Sequence, residues 1–155
     1  RRERDYDDSR AVMRKAYLEP IITAAVAVAV MCGIFLAQGE PLRIFVIYLI
    51  SLPVVAVLGT LAFFLCCLLW VGFDAPMHLS ALRLLAVFAV LGPLSVLFDF
   101  LPGFLSLILL LLSAVLMLAK KLELDLVDAV FVGIAIVLTQ IAGVWALAAA
   151  LKNLI

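Results

Sequence analysis

LRIFVIYLISLPVVAVLGTLAFFLCCLLWVGF, residues 42–73, contains no charged side chain between Arg43 and the Asp74 that follows it. As one helix this stretch is roughly 46 Å long, whereas the hydrocarbon core of a bilayer is about 30 Å thick. A water-soluble domain of this size has no interior that could surround such a rod. It must cross a membrane, tilted or with one arm along the interface. Pro53 removes a backbone donor inside the run and predicts a kink there. One long kinked crossing is the favoured reading, with residues 42–52 as a re-entrant arm the alternative.

Four further apolar runs flank it, at residues 21–38, 81–98, 101–119 and 127–151. The fold class that follows is all-α: a polytopic transmembrane helical bundle of about five spans. Composition agrees, since 68% of the 155 residues are hydrophobic and 14% are charged, against roughly a quarter charged in soluble chains. Five spans leave residues 1–19 as the one segment outside the membrane domain of residues 20–155. Formal charge balances at zero, so no nucleic-acid partner is implied. The chain opens without Met, which suggests a trimmed start or a longer parent. The first apolar run follows charged residues and lacks a small-residue cleavage motif, unlike a signal peptide.

Residues 1–19 hold six of the eleven basic residues and read as a short interfacial or partner-docking helix over residues 9–18. Pro20 suits the first turn of a new helix, where its missing N–H is unpaired anyway. In span one, Ala25, Ala29 and Gly33 recur every four residues, a stripe on which another helix can approach closely. Span three is expected from Ala81, with Ser80 capping it, and Gly92-Pro93 predicts a second kink. DFLPG (99–103) is a hairpin tip. Span four takes Leu101 from that turn, and KKLELDLVD (120–128) forms a polar loop. Asp125 and Asp128 place negative charge at the start of span five, where the macrodipole favours it. Span five has two small-residue stripes, Ala135, Thr139, Gly143 and Ala142, Ala146, Ala150, which predict two packing neighbours.

Lys and Arg concentrate in loops on the cytoplasmic side. With the N-terminus inside, that side takes the six N-terminal bases, Arg83, Lys120 and Lys121, while Arg43 and Lys152 fall opposite. The expected orientation is therefore N-terminus cytoplasmic and C-terminus on the opposite side, in a bacterial-type inner or plasma membrane.

Few polar groups lie at depth. Asp99 is an acid between two apolar spans with no base nearby, and intramembrane acids are functional candidates. A headgroup-level turn residue is the bland alternative. Gln140, beside Thr139, lies near mid-span and needs a hydrogen-bond partner; it can glue helices or line a path. His78, Arg83, Lys120 and Lys121 read as rim residues in reach of lipid headgroups. Thr60, Ser95, Ser106 and Ser113 can bond back to their own helices. Cys32, Cys66 and Cys67 lie inside apolar runs without metal-ligand spacing. With one His, no nucleophile–base–acid arrangement and no glycine-rich phosphate loop, the chain does not read as an enzyme, and no cofactor is implied.

LLWVGFDAPMHLSALRLL (68–85) followed by LGPLSVLFDFLPG (91–103), with a charged N-terminal segment and kinking prolines, resembles the five-span layout of the Yip-type membrane proteins and their bacterial relatives. No functional residue is carried across; lipid handling or membrane shaping, through residues 1–19 and the rim bases, is a third reading of such a five-span layout. From the residues themselves the leading expectation is a non-catalytic accessory or structural subunit of a larger membrane assembly. Its partners would be membrane lipids and other transmembrane subunits, in a homo- or hetero-oligomer. A small oligomeric channel or transporter using Asp99, Gln140 or the kinks is the second.

Overall fold

The computed structural model describes the backbone of residues 2–39, 42–72 and 76–152, and the side chains of residues 13–39, 43–72 and 76–143. The elements are α1 (Arg2–Gln38), α2 (Leu42–Cys66) continued by a π-helical segment (Cys67–Val71), α3 (Met77–Phe98), α4 (Gly103–Leu122) and α5 (Leu126–Lys152). Each helix is long and apolar enough to cross a membrane.

α3 is the hub: it packs on α1, α2 and α4, while α5 packs on α2 and α4. Helices α2, α3, α4 and α5 thus close a four-membered ring, and α1 lies outside it against α3. Lipid tails are as apolar as leucine, so close backbone approach rather than escape from water drives this packing. Accordingly Ala62, Ala86, Ala89 and Ala129 are among the most buried residues. Gly59 serves the same end, because a Cβ there would lie 2.6 Å from Cε2 of Phe88. The apolar core joins Ala62 and Phe63 of α2, Leu84 and Val87 of α3, Leu118 and Leu122 of α4, and Ala129, Val132 and Ile136 of α5. These are the C-terminal halves of α2 and α4 and the N-terminal halves of α3 and α5. The core therefore occupies one end of the bundle.

Several expected boundaries move. α1 does not restart at Pro20; the proline lies inside one continuous helix, buried. It forfeits one backbone bond, and Thr23 Oγ1 donates to the Glu19 carbonyl 2.8 Å away, in the turn around it. α3 starts four residues early: the Pro76 carbonyl accepts from the N–H groups of Leu79 and Ser80 at 2.9 and 3.1 Å. Ser80 is consequently a buried helix residue, not a cap. α4 begins after Pro102 and leaves Leu101 in the turn, whose N–H donates to Phe98. Its other end runs through Lys120 and Lys121, so the expected polar loop is mostly helix. Glu123 ends it in the left-handed region at φ 58°, and the Leu124 N–H reaches back to the Ala119 carbonyl at 3.0 Å. That is the Schellman closure, with Leu124 packed on the core as its hydrophobic contact.

α2 and α3 stay helical across Pro53 and across Gly92-Pro93. The end of α2 was not foreseen as π-helical. There the Gly72 N–H donates to the Cys67 carbonyl at 3.0 Å. The wider turn shifts following side chains by about 100° from their α-helical course.

Candidate functional site

Two places combine polar chemistry with the fold: a charged girdle at the packed end, and a lateral cleft farther along α5.

The girdle ties all five helices. Lys121 Nζ contacts Glu19 Oε1 at 2.5 Å, joining α4 to α1, and Arg83 Nη2 donates to Glu123 Oε1 at 3.0 Å, joining α3 to the α4–α5 turn. The Tyr17 hydroxyl hydrogen-bonds Nε2 of His78, and the two rings stack at 5.4 Å, a second tie between α1 and α3. Trp70, carried by the π-helical segment, donates from Nε1 to Asp128 Oδ1 at 3.2 Å and leans on Phe131 at 6.0 Å. Asp128 lies in the first turn of α5, where negative charge also suits the helix dipole. In each ion pair the base is the shielded partner: Arg83 and Lys121 side chains are 17% and 21% exposed, Glu123 and Glu19 75% and 62%. The basic stems lie along apolar surface while the heads reach the acids. The structure thus brings His78, Arg83 and Lys121 together, with Lys120 exposed on the same turn. Spacing along a sequence does not reveal cross-helix neighbours, so neither their partners Tyr17, Glu123 and Glu19 nor the Trp70–Asp128 pair could be read from it.

Among the described residues the polar groups at depth are mostly answered within the chain. Thr139 Oγ1 donates to Ala135 at 2.8 Å, Thr60 to Ala56 at 2.7 Å and Ser95 to Gly92 at 2.7 Å, each back onto its own helix. Pro93 cannot donate to the Ala89 carbonyl one turn earlier, and the Tyr48 hydroxyl of α2 donates there instead at 3.2 Å. Gly92 makes the room, since a Cβ on it would lie 2.8 Å from that hydroxyl. Asking which donor answers the carbonyl orphaned by Pro93 could have pointed to a hydroxyl on a neighbouring span.

Gln140 is the exception. Its Nε2 is buried and has no hydrogen-bond partner. The residue lines a cleft of about 530 Å³ between α3, α4 and α5, otherwise walled by apolar side chains such as Leu91, Leu111, Val115 and Leu138. Asp99 does not line this cleft; it lies exposed at the end of α3. A second groove, about 690 Å³, runs between α2 and α3 from Pro53 to His78.

The small-residue stripes separate. Gly143 packs on Leu58 of α2, a Cβ there falling 2.9 Å from Leu58 Cδ1, and Gly133 faces Leu118 of α4. α5 meets two neighbours, but the contact with α4 is made through Gly133, which belongs to neither expected stripe, and Ala142 is exposed. Ala146 and Ala150 lie outside the residues whose side chains are described. Among the described side chains of α1, Pro20, Ala27 and Met31 are buried, while Ala25, Ala29 and Gly33 are exposed, and a Cβ added at Gly33 would meet nothing within 4 Å.

Five membrane-length apolar helices joined by short turns define an integral, multi-pass helical membrane protein. Comparison with protein-family models, curated proteins and solved structures found no match, so the Yip-type resemblance gains no support from them.

Proposed function

We propose that this chain is a non-catalytic subunit that packs, through α1, against another transmembrane helix in a larger membrane assembly. The observation that carries the reading is the outward stripe of Ala25, Ala29 and Gly33. Lipid needs no small residues on a helix surface; close approach of a second backbone does. α1 is held to the rest of the chain by α3, by the girdle and, near its C-terminal end, by Phe35 against Phe45 and Tyr48 of α2, while Ala25, Ala29 and Gly33 stay exposed. The positive-inside bias supports an orientation with the girdle and N-terminus cytoplasmic.

A channel through a single copy is less well supported. The middle of the helix ring is filled by Leu84, Val87 and Val132, each at most 1% exposed.

The test is extraction in a mild detergent. The native chain should co-purify with other membrane proteins in a fixed ratio, and Gly33→Leu should lose them while keeping its own fold by circular dichroism. A monodisperse lone monomer from native membranes would defeat the reading.

A further inference from the structure

We propose that the cleft between α3, α4 and α5 binds a neutral, bilayer-soluble molecule whose hydrocarbon frame carries a hydrogen-bond acceptor such as a carbonyl. The Gln140 amide is the donor that receives it. This site is separate from the α1 face and does not depend on what packs there.

The argument begins with the orphan. A buried donor without an acceptor is costly in hydrocarbon, where no water can answer it. Among the described residues Gln140 Nε2 is the one side-chain atom in that state, although Tyr48 shows that this fold can route a hydroxyl to an orphan elsewhere. Depth then limits what can answer. Gln140 follows Asp128 of the girdle by twelve helical residues, about 18 Å along α5. That is beyond the midpoint of a roughly 30 Å hydrocarbon core. Phospholipid ester groups and headgroups stay at the interface, and a plain acyl chain offers no acceptor. A lone water would find a single polar partner, too few to hold it.

Size limits it further. The cleft measures about 530 Å³, within the roughly 300–1,000 Å³ of small-molecule sites. The mouth faces lipid, since Leu111 and Leu138 on its two sides are 49% and 61% exposed. A ligand dissolved in the bilayer can therefore enter sideways.

The experiment uses benzophenone, a neutral diaryl ketone that labels C–H bonds near its carbonyl on irradiation. The full chain in phospholipid nanodiscs is irradiated with it and the adducts are mapped by mass spectrometry. Expected are adducts concentrated on cleft residues such as Leu111 and Val115. They should fall roughly tenfold in Gln140→Leu, the value of one well-placed hydrogen bond in this setting. Ala114→Phe, which fills the cleft, should abolish them while Gln140 remains. An unlabelled ketone should compete and diphenylmethane, its hydrocarbon counterpart, should not. Adducts spread evenly over the lipid-facing helices would overturn the proposal. So would cleft adducts that Gln140→Leu leaves unchanged and diphenylmethane displaces equally, since an acyl-chain groove behaves that way. Exclusion of the probe, together with self-association that Gln140→Leu removes, would assign the cleft to a second copy and also overturn it.

Discussion

The two ends of this bundle are built differently. At the girdle end, side chains from all five helices are cross-tied and the core beneath them is close-packed, with Leu84, Ala129 and Val132 at 0% exposure. At the other end, the α3–α4 turn leaves Phe100 and Phe104 85% and 78% exposed. The first turns of α4 touch little of their own chain there. What orders that far end is local: Phe35, Phe45 and Tyr48 form an aromatic cluster with ring centroids 6.0–6.4 Å apart. The contrast teaches that in lipid an apolar sequence does not by itself determine tight packing. Polar ties and small residues decide where helices close up, and where both are sparse large apolar side chains stay exposed.

Core truncation should expose this contrast most strongly. Leu84→Ala should cost about 2–5 kcal/mol, whereas Leu107→Ala, on the lipid face of α4, should stay within about 0.5 kcal/mol. Unfolding by steric trapping in bicelles measures both; equal costs would erase the distinction between the ends. Next in size is the Tyr48 bond, which lies between the two regimes. Tyr48→Phe should cost about 1 kcal/mol by stranding the Ala89 carbonyl. In a Pro93→Ala background, where the residue 93 N–H can answer that carbonyl, the same change should cost almost nothing. A double-mutant cycle that found the two changes additive would show the hydroxyl to be incidental. Smallest is the girdle itself. Glu19→Gln and Lys121→Met should couple by about 0.2–1 kcal/mol, and the coupling should shrink at 1 M salt, where screening acts over about 3 Å. A coupling that ignored salt would mean the pair is more deeply shielded than the 62% exposed Glu19 side chain implies.

Class, helix number and the limits of α5 were legible in the sequence because they rest on length and apolarity, which a bilayer makes nearly sufficient. His78, Arg83 and Lys121 were legible as polar residues flanking the apolar runs, but not their pairing with Tyr17, Glu123 and Glu19 on other elements. Pro20 reads locally as a helix start and Ser80 as a cap, yet both lie inside continuous helices. Both differences share a cause: local signals describe an isolated segment, and in lipid a helix loses too much by breaking where a soluble one would stop. The outward stripe on α1 could be seen as a stripe but not as outward. Gln140 was legible as a polar residue at depth, yet its cleft depends on how far α4 stands from α5, which no spacing encodes. Tyr48 escaped notice because its role exists only relative to Pro93 on another span.

That last pairing bears on how the chain is assembled. Alone in the bilayer, α3 carries a naked carbonyl at Ala89, and α2 alone carries a phenol with nothing to bind. Each span completes the other's chemistry. α3 should thus partition into the membrane more readily when α2 is already beside it, so this hairpin is best regarded as a single insertion unit.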